Sequence, residues 1–180
     1  MGLDMYLSAK RSYYQHDKEN IINNKIRKAI PEMFLTDNIN YVRVEFEAGY
    51  WRKANEIHSW FVRNVQEEKD DCGEYEVSRE KLKELLELCK KVLSSCKLKE
   101  GLIRNGSTIK DGKEVPIVEP GKFIEDSTIA KKMLPTESGF FFGSTDYDEE
   151  YYDDLKRTVE IIEKCLALPE GWYFYYHSSW

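Results

Sequence analysis

The sequence has no long apolar run and no surplus of basic residues. No stretch of its 180 residues approaches the roughly 20 apolar residues that span a bilayer, and the first residues lack the apolar core of a signal peptide. Lys and Arg number 27 against 33 Asp and Glu, a net charge of −6 that argues against binding to a nucleic-acid backbone. We therefore expect a cytoplasmic protein that binds neither membranes nor nucleic-acid backbone.

Cysteine is scarce and its spacing is uninformative. The four cysteines, Cys72, Cys89, Cys96 and Cys165, form no CxxC pair, so the sequence gives no specific zinc signal and no disulfide framework. Cys89 and Cys96 lie seven residues apart on a predicted helix and are typical of small core residues. We expect reduced thiols, no metal and no cofactor.

What the sequence does contain predicts an α+β fold. Hydrophobic residues make up 41% and charged residues 33%, typical of one globular domain, here 1–180. Strands alternate irregularly with helices and hairpin signals, which favours a mostly antiparallel sheet with about three packed amphipathic helices. Residues 12–40 are predicted to be an irregular insertion, with one helix ended by Pro31, and residues 101–130 a loop-rich hairpin region.

Alternating side chains predict strands near both ends of the chain. Leu3, Met5, Leu7 and Ala9 share one face of the first strand. Val42, Val44, Phe46 and Ala48 are expected to face the core of the next, which Gly49 is expected to end. "WYFYYHSSW" is predicted to be a closing aromatic strand, and "GFFFGS" a short buried one.

Helical periodicity predicts three amphipathic helices. One spans 49–66, one begins after the N-cap Ser78, and one begins at "STDYD". The turn signals "RNGS" and "KDGK" lie between the last two helices.

"GYWRKANEIHSWFVRNVQ", residues 49–66, is the first candidate site. On a helical wheel His58 faces inward, with Asn55 and Trp51 at the edge of that face, while Arg52, Glu56, Ser59 and Arg63 face solvent. The wheel leaves Trp60 on the far side, covered by another segment or marking a partner surface. His58 is then either a core histidine paired with a carbonyl or a tyrosine, or part of a pocket. In the pocket, Trp51 would stack on a ligand, Asn55 would form hydrogen bonds with a polar edge of that ligand, and Arg52 would bind its phosphate.

Ser144 and Thr145 form a weaker second candidate. They lie between a predicted strand and a predicted helix, where backbone N–H groups attract anions. The same residue types are also the usual helix caps, and the acidic residues that follow disfavour a phosphate.

Two catalytic arrangements remain as alternatives without motif support. His58 could serve as the base for a Cys72 nucleophile, or bind a metal with Asp71 and His177. Both need a geometry that residue spacing does not define.

Several segments of the chain resemble a family of small, mostly uncharacterised proteins of bacteriophage and prophage genomes. They are "GLDMYL", "GYWRKANEIHSWFVRNVQ", "DDCGEY", "LPTESGFFFGSTDYDEEYYDDL" and the terminal "SSW". Residues 12–40 and 101–130 carry none of the resemblance. It implies a phage accessory protein in the bacterial cytoplasm that binds or sequesters a host component, including nucleotide signals of host defence.

The function we expect is therefore non-catalytic capture of a small molecule, with a nucleotide or anti-defence signal as one candidate ligand. The site residues would be Trp51, Arg52, Asn55, His58, Ser144 and Thr145. The alternatives are an acidic inhibitor of a host protein and a small hydrolase using His58 with Cys72 or a metal. A homo-oligomer stays open.

Overall fold

Two antiparallel sheets and the helices beside them form a single α+β domain, as the sequence predicts. The computed structural model describes residues 2–14, 21–31, 41–139 and 142–180. Within them the strands are β1 (Asp4–Tyr14), β2 (Tyr41–Arg52), β3 (Tyr75–Val77), β4 (Leu98–Lys110), β5 (Lys113–Ile124) and β6 (Tyr173–Ser179). The helices are α1 (Ile21–Ala29), α2 (Asn55–Asn64), α3 (Arg79–Ser95), α4 (Thr128–Met133) and α5 (Glu149–Ala167).

The main sheet has the strand order β2-β1-β6-β3, and every pairing in it is antiparallel. Its inner face is apolar, as the alternation predicts: Leu3, Met5, Leu7 and Ala9 are fully buried, as is Tyr176 of β6. These side chains form one core with apolar residues of α2, α3 and α5. Burial of this shared face holds sheet and helices together.

Strand β2 is longer than predicted and contains a β-bulge. Leu7 pairs with Gly49 and Ser8 with Glu47, so Ala48 is the extra residue. Val44 and Phe46 were expected in the core but keep 37% and 40% of their side chains exposed. The prediction that Gly49 ends the strand is wrong, since β2 continues to Arg52.

Helix α2 begins at Asn55, so the predicted helix over 49–66 starts six residues too early. Lys53 makes the turn from strand to helix with a left-handed backbone (φ 63°). Its N–H donates to the carbonyl of Leu3, and its carbonyl accepts from the N–H of Asn55. The short turn brings the end of β2 and the first turn of α2 side by side.

Residues 98–124 form a two-stranded ribbon, so the predicted hairpin region at 101–130 contains more regular strand than expected. "KDGK" is its turn, with positive φ at Asp111 and Gly112. "RNGS" is a register shift within β4. At the base of the ribbon Phe123 bridges to Asp148 and the Ile124 N–H donates to the Tyr147 carbonyl, which anchors the chain just before α5.

The N-cap residue was predicted correctly for α3 and wrongly for α5. Ser78 caps α3 by accepting from the N–H of Lys81, as predicted. Helix α5 is capped by Asp148, so the predicted cap at Ser144 to Asp146 is wrong. The described residues of "GFFFGS" form no strand, while Phe140 and Phe141 lie outside the described residues.

The predicted irregular insertion at 12–40 is partly regular. Residues 12–14 continue β1, and α1 ends at Ala29, two residues before Pro31. The other residues of this segment, apart from 30 and 31, lie outside the described residues.

Replacing Gly49 by Ala should destabilise the fold through a steric clash. A Cβ at this position would lie 2.4 Å from Cγ2 of Ile161 on α5, so strand and helix would have to separate. We expect the free energy of unfolding to fall by about 1–3 kcal/mol, measured by urea denaturation. Gly2→Ala is the matched control, because its Cβ would meet its nearest neighbour, Cε of Lys53, at 3.5 Å. Equal midpoints for the two variants would contradict the close packing of β2 on α5.

Candidate functional site

A cavity of about 400 Å³ lies where the end of β2, the first turn of α2 and the start of α5 meet. We call it the acidic cavity. Acidic residues lining it are Glu56, Asp146, Asp148, Glu150, Asp153 and Asp154, and basic residues are Arg52, Lys53 and Arg157. Its volume lies in the range of small-molecule sites, roughly 300–1,000 Å³.

Glu56 is the buried acid of the cavity. Only 2% of the residue is exposed, and its Oε1 has no hydrogen-bond partner within the described part of the chain. Burial, reinforced by the negative charge of Asp154, raises the pKa of Glu56 well above its ordinary value. A buried acceptor without a partner is costly, so this oxygen is either strained or reserved for something that enters the cavity.

Two further acids on the α5 side have raised pKa values. Burial raises the pKa of Asp154 to about 7, although the nearby Arg157 opposes the shift. Burial also raises the pKa of Asp148, whose Oδ1 accepts from the N–H groups of Glu150 (3.0 Å) and Tyr151 (3.3 Å) as the helix cap. Asp154 is therefore only partly ionised near neutral pH, and Asp148 ionises less readily than an exposed aspartate.

The basic side chains of the cavity lack hydrogen-bonded partners within the described residues, although the charge of Arg157 acts on Asp154. Arg52, Lys53 and Arg157 form no hydrogen bond or ion pair with another described side chain. Arg52 ends β2, Lys53 occupies the strained turn, and Arg157 lies on α5. They remain available to a bound molecule.

Asn55 fixes one wall of the cavity. Its Nδ2 donates to the carbonyls of Phe142 (3.0 Å) and Ser144 (2.7 Å), and its Oδ1 accepts from the N–H of Glu137 (2.8 Å). The side chain is 2% exposed, so these bonds satisfy it internally. Asn55 therefore shapes the cavity by holding Glu137, Phe142 and Ser144 in place.

His58 lies on the other side of that segment, in a separate, more apolar cavity of about 530 Å³ with Phe142 and Trp180. It is 1% exposed, with Nδ1 at 2.8 Å from the Tyr176 hydroxyl and Nε2 at 3.1 Å from Oδ2 of Asp70. The contact with Tyr176 agrees with a core histidine paired with a tyrosine, and His58 also lines the cavity. Asp70 also accepts from the indole N–H of Trp180 at 3.2 Å.

The structure does not bring all the predicted site residues together. Arg52, Asn55 and Ser144 line the acidic cavity, and Thr145 lines an adjoining one that shares Ser144. Trp51 lies on β2 and not on a helix, so its predicted place on the wheel is wrong. It is fully buried and donates its indole N–H to the Thr158 hydroxyl, 2.9 Å away. The ring therefore has no free face for stacking.

Sequence reasoning missed the acids that define the cavity. The wheel assigned Glu56 and Ser59 to a solvent face, but α2 is buried at every position from Asn55 to Phe61. Trp60, left unexplained by the wheel, is 5% exposed and lies in the core. The acidic residues that follow Thr145 were considered only as a feature that disfavours a phosphate, as a solvated helix start that suits the helix dipole, or as a hard-cation site without EF-hand spacing. A charged residue flanked by buried neighbours on both sides, as Glu56 is, was the one available signal.

Comparison with known proteins gives no matching family model, no matching curated protein and no matching solved structure. Within the described ranges, no helix is long and apolar enough to cross a membrane. No group of three or more His, Cys, Asp or Glu side chains among the described residues is arranged to hold a metal ion. Function has to be inferred from the site itself.

Replacing Glu56 by Gln should stabilise the protein increasingly as pH rises. Between the ordinary pKa of Glu and the raised pKa of Glu56, the folded state binds the proton that the unfolded state has lost, so wild-type stability falls with rising pH. Gln cannot ionise and avoids that loss. We expect a gain of roughly 1–3 kcal/mol at pH 8 and little gain at pH 4, measured by urea denaturation. Glu160→Gln, an exposed position on α5, is the control. A gain independent of pH would contradict burial of an ionisable Glu56.

Replacing Asn55 by Ala should loosen residues 137–139 and 142–144. The substitution leaves two carbonyls and one N–H without partners, which we expect to cost roughly 2–4 kcal/mol and to speed proteolysis of this segment. Asn64→Ala is the matched control on the same helix, because its side chain only donates to the carbonyl of Trp60. Limited proteolysis with mapped cleavage sites makes the comparison. Equal cleavage in both variants would remove Asn55 as the clamp.

Proposed function

We propose that the protein binds and sequesters a small molecule in the acidic cavity, without transforming it. The observation that carries the proposal is Glu56, a residue that lines a cavity of ligand size and has a buried Oε1 without a partner among the described residues. A ligand donor would satisfy this oxygen. The three unpaired basic side chains give a bound molecule further contacts.

The chemistry around the cavity favours binding over catalysis. Burial raises the pKa of the thiols of Cys89, Cys96 and Cys165, so they are not thiolates at neutral pH. Both ring nitrogens of His58 are already paired, with Tyr176 and Asp70, which leaves neither free to activate Cys72 or to ligate a metal. These contacts disfavour the hydrolase alternative.

The resemblance to phage proteins supplies a context for the proposal. A small accessory protein in the bacterial cytoplasm that captures a host signal would need a site of this size and no reaction. A nucleotide would fit if its base donated to Glu56 and Asp154 while its phosphate met Arg52 and Arg157. The surrounding acids repel negative charge, so a phosphate with several negative charges would bind less favourably than a singly charged one.

A thermal-shift screen tests the proposal. Purified protein is heated with nucleoside mono-, di- and cyclic phosphates, NAD-derived molecules, amines and sugars. A ligand present at a hundred times its Kd stabilises the folded state by about 2.7 kcal/mol, which appears as a saturable rise of several degrees. We expect one class to produce this rise, and Glu56→Gln to reduce its affinity.

Arg63→Ala is the matched control for Arg157→Ala, because Arg63 lines the cavity of His58 and not the acidic cavity. A ligand that loses affinity in Arg157→Ala and keeps it in Arg63→Ala binds where we propose. A rise that persists unchanged in Glu56→Gln and Arg157→Ala would place the ligand elsewhere. No rise with any class would overturn the proposal and favour the alternative, an acidic protein that binds a host protein.

A further inference from the structure

Resting on the proposed function, we propose that the ligand of the acidic cavity is an organic cation carrying at least one primary ammonium group. The inference concerns the chemical class of the ligand, which the proposed function leaves open. It depends on the charges of the cavity, on the two carboxyl groups without partners, and on the absence of metal-binding geometry among the described residues.

Acidic side chains outnumber basic ones in the cavity. Six acidic side chains face three basic ones. One of the acids, Asp153, is already paired with Lys156 at 3.2 Å. Burial raises the pKa of Asp154 to about 7, so it is only partly ionised near neutral pH, and burial also raises the pKa of Glu56 well above its ordinary value. Asp146, Asp148 and Glu150 remain to balance the bases while the cavity is empty. Once a cation enters, Glu56 and Asp154 can ionise, which leaves five charged acids against three bases, so a cation is favoured over an anion.

The hydrogen-bonding capacity of the Glu56 and Asp154 carboxyl groups also fits an ammonium group. Oε1 of Glu56 accepts no hydrogen bond, and the carboxyl of Asp154 forms none with the described residues. Both lie on neighbouring elements, Glu56 on α2 and Asp154 on α5. A primary ammonium has three N–H donors and can serve two carboxylates at once. Charge-assisted bonds of this kind are among the strongest in proteins.

Other occupants fit the cavity less well. Within the described residues no three acidic, histidine or cysteine side chains converge to hold a metal ion. A phosphate beside Glu56 and Asp154 would meet two carboxyl groups that offer no hydrogen-bond donor once ionised. A neutral sugar could donate to both carboxyls but would gain nothing from their charge. The ammonium group alone uses both the open acceptors and the charge.

Matched pairs of probes test the charge of the ligand directly. Putrescine and 1,4-butanediol share a four-carbon chain, and glucosamine and glucose share a ring, but only the first of each pair is cationic. Thermal shift and isothermal calorimetry are run on the full chain at pH 7.5. We expect saturable binding of at least one amine and binding at least tenfold weaker, or absent, for its uncharged partner.

Variants then locate the bound amine. Glu56→Gln and Asp154→Asn each keep the side-chain shape and remove one negative charge, and each should weaken amine binding at least tenfold. Glu160→Gln removes one exposed charge elsewhere on α5 and should leave the affinity unchanged. Two different variants protect the test against the failure of either one to fold.

The outcomes separate this inference from the proposed function. Equal binding of the amines and their uncharged partners overturns the charge inference. Binding of a nucleotide that depends on Glu56 and Arg157, with no binding of any amine, also overturns it but leaves the proposed function standing. No binding of any probe, charged or neutral, overturns both.

Discussion

The hydrogen bonds of the Asn55 side chain are the constraint on which the rest of the site depends. They join the first turn of α2 to backbone groups of Glu137, Phe142 and Ser144, which lie 82, 87 and 89 residues further along the chain. One amide thus fixes three backbone groups of the segment before α5. Ser144 lines the acidic cavity, whereas Glu137 and Phe142 line that of His58, so the same amide positions residues of two sites of different chemistry.

Burial of α2 on all sides is what makes Glu56 unusual. An amphipathic helix normally keeps its charged residues in water, but α2 lies within the core from Asn55 to Phe61. Phe61 stacks on Tyr176 with ring centroids 3.9 Å apart, and Trp60 meets Phe61 edge-on. Apolar contacts of this kind hold the helix in position despite the cost of a buried carboxyl.

Sequence patterns predicted the parts of the fold that follow a simple period. Three predicted features depend on residues two to four apart in the chain, and the structure contains all three. They are the inner face of β1, the cap of α3 and the inward direction of His58. The bulge at Ala48 and the burial of α2 depend instead on segments distant in the chain, and no local pattern carries them. The acidic cavity was missed for the same reason, since its residues come from three elements.

Glu56 is one of three buried side chains among the described residues that have an atom without a hydrogen-bond partner. Oε1 of Gln66 and the hydroxyl oxygen of Ser178 also have no partner among the described residues. Both groups are uncharged and neither lines the acidic cavity, so each costs only the loss of one bond to water. Glu56 adds the cost of an ionisable group held between other acids. A glutamine of the same shape would avoid that cost, and a purely structural role would not require the acid. Strain of this kind is expected where a group serves a ligand, because natural proteins depart from local rules mainly at functional sites.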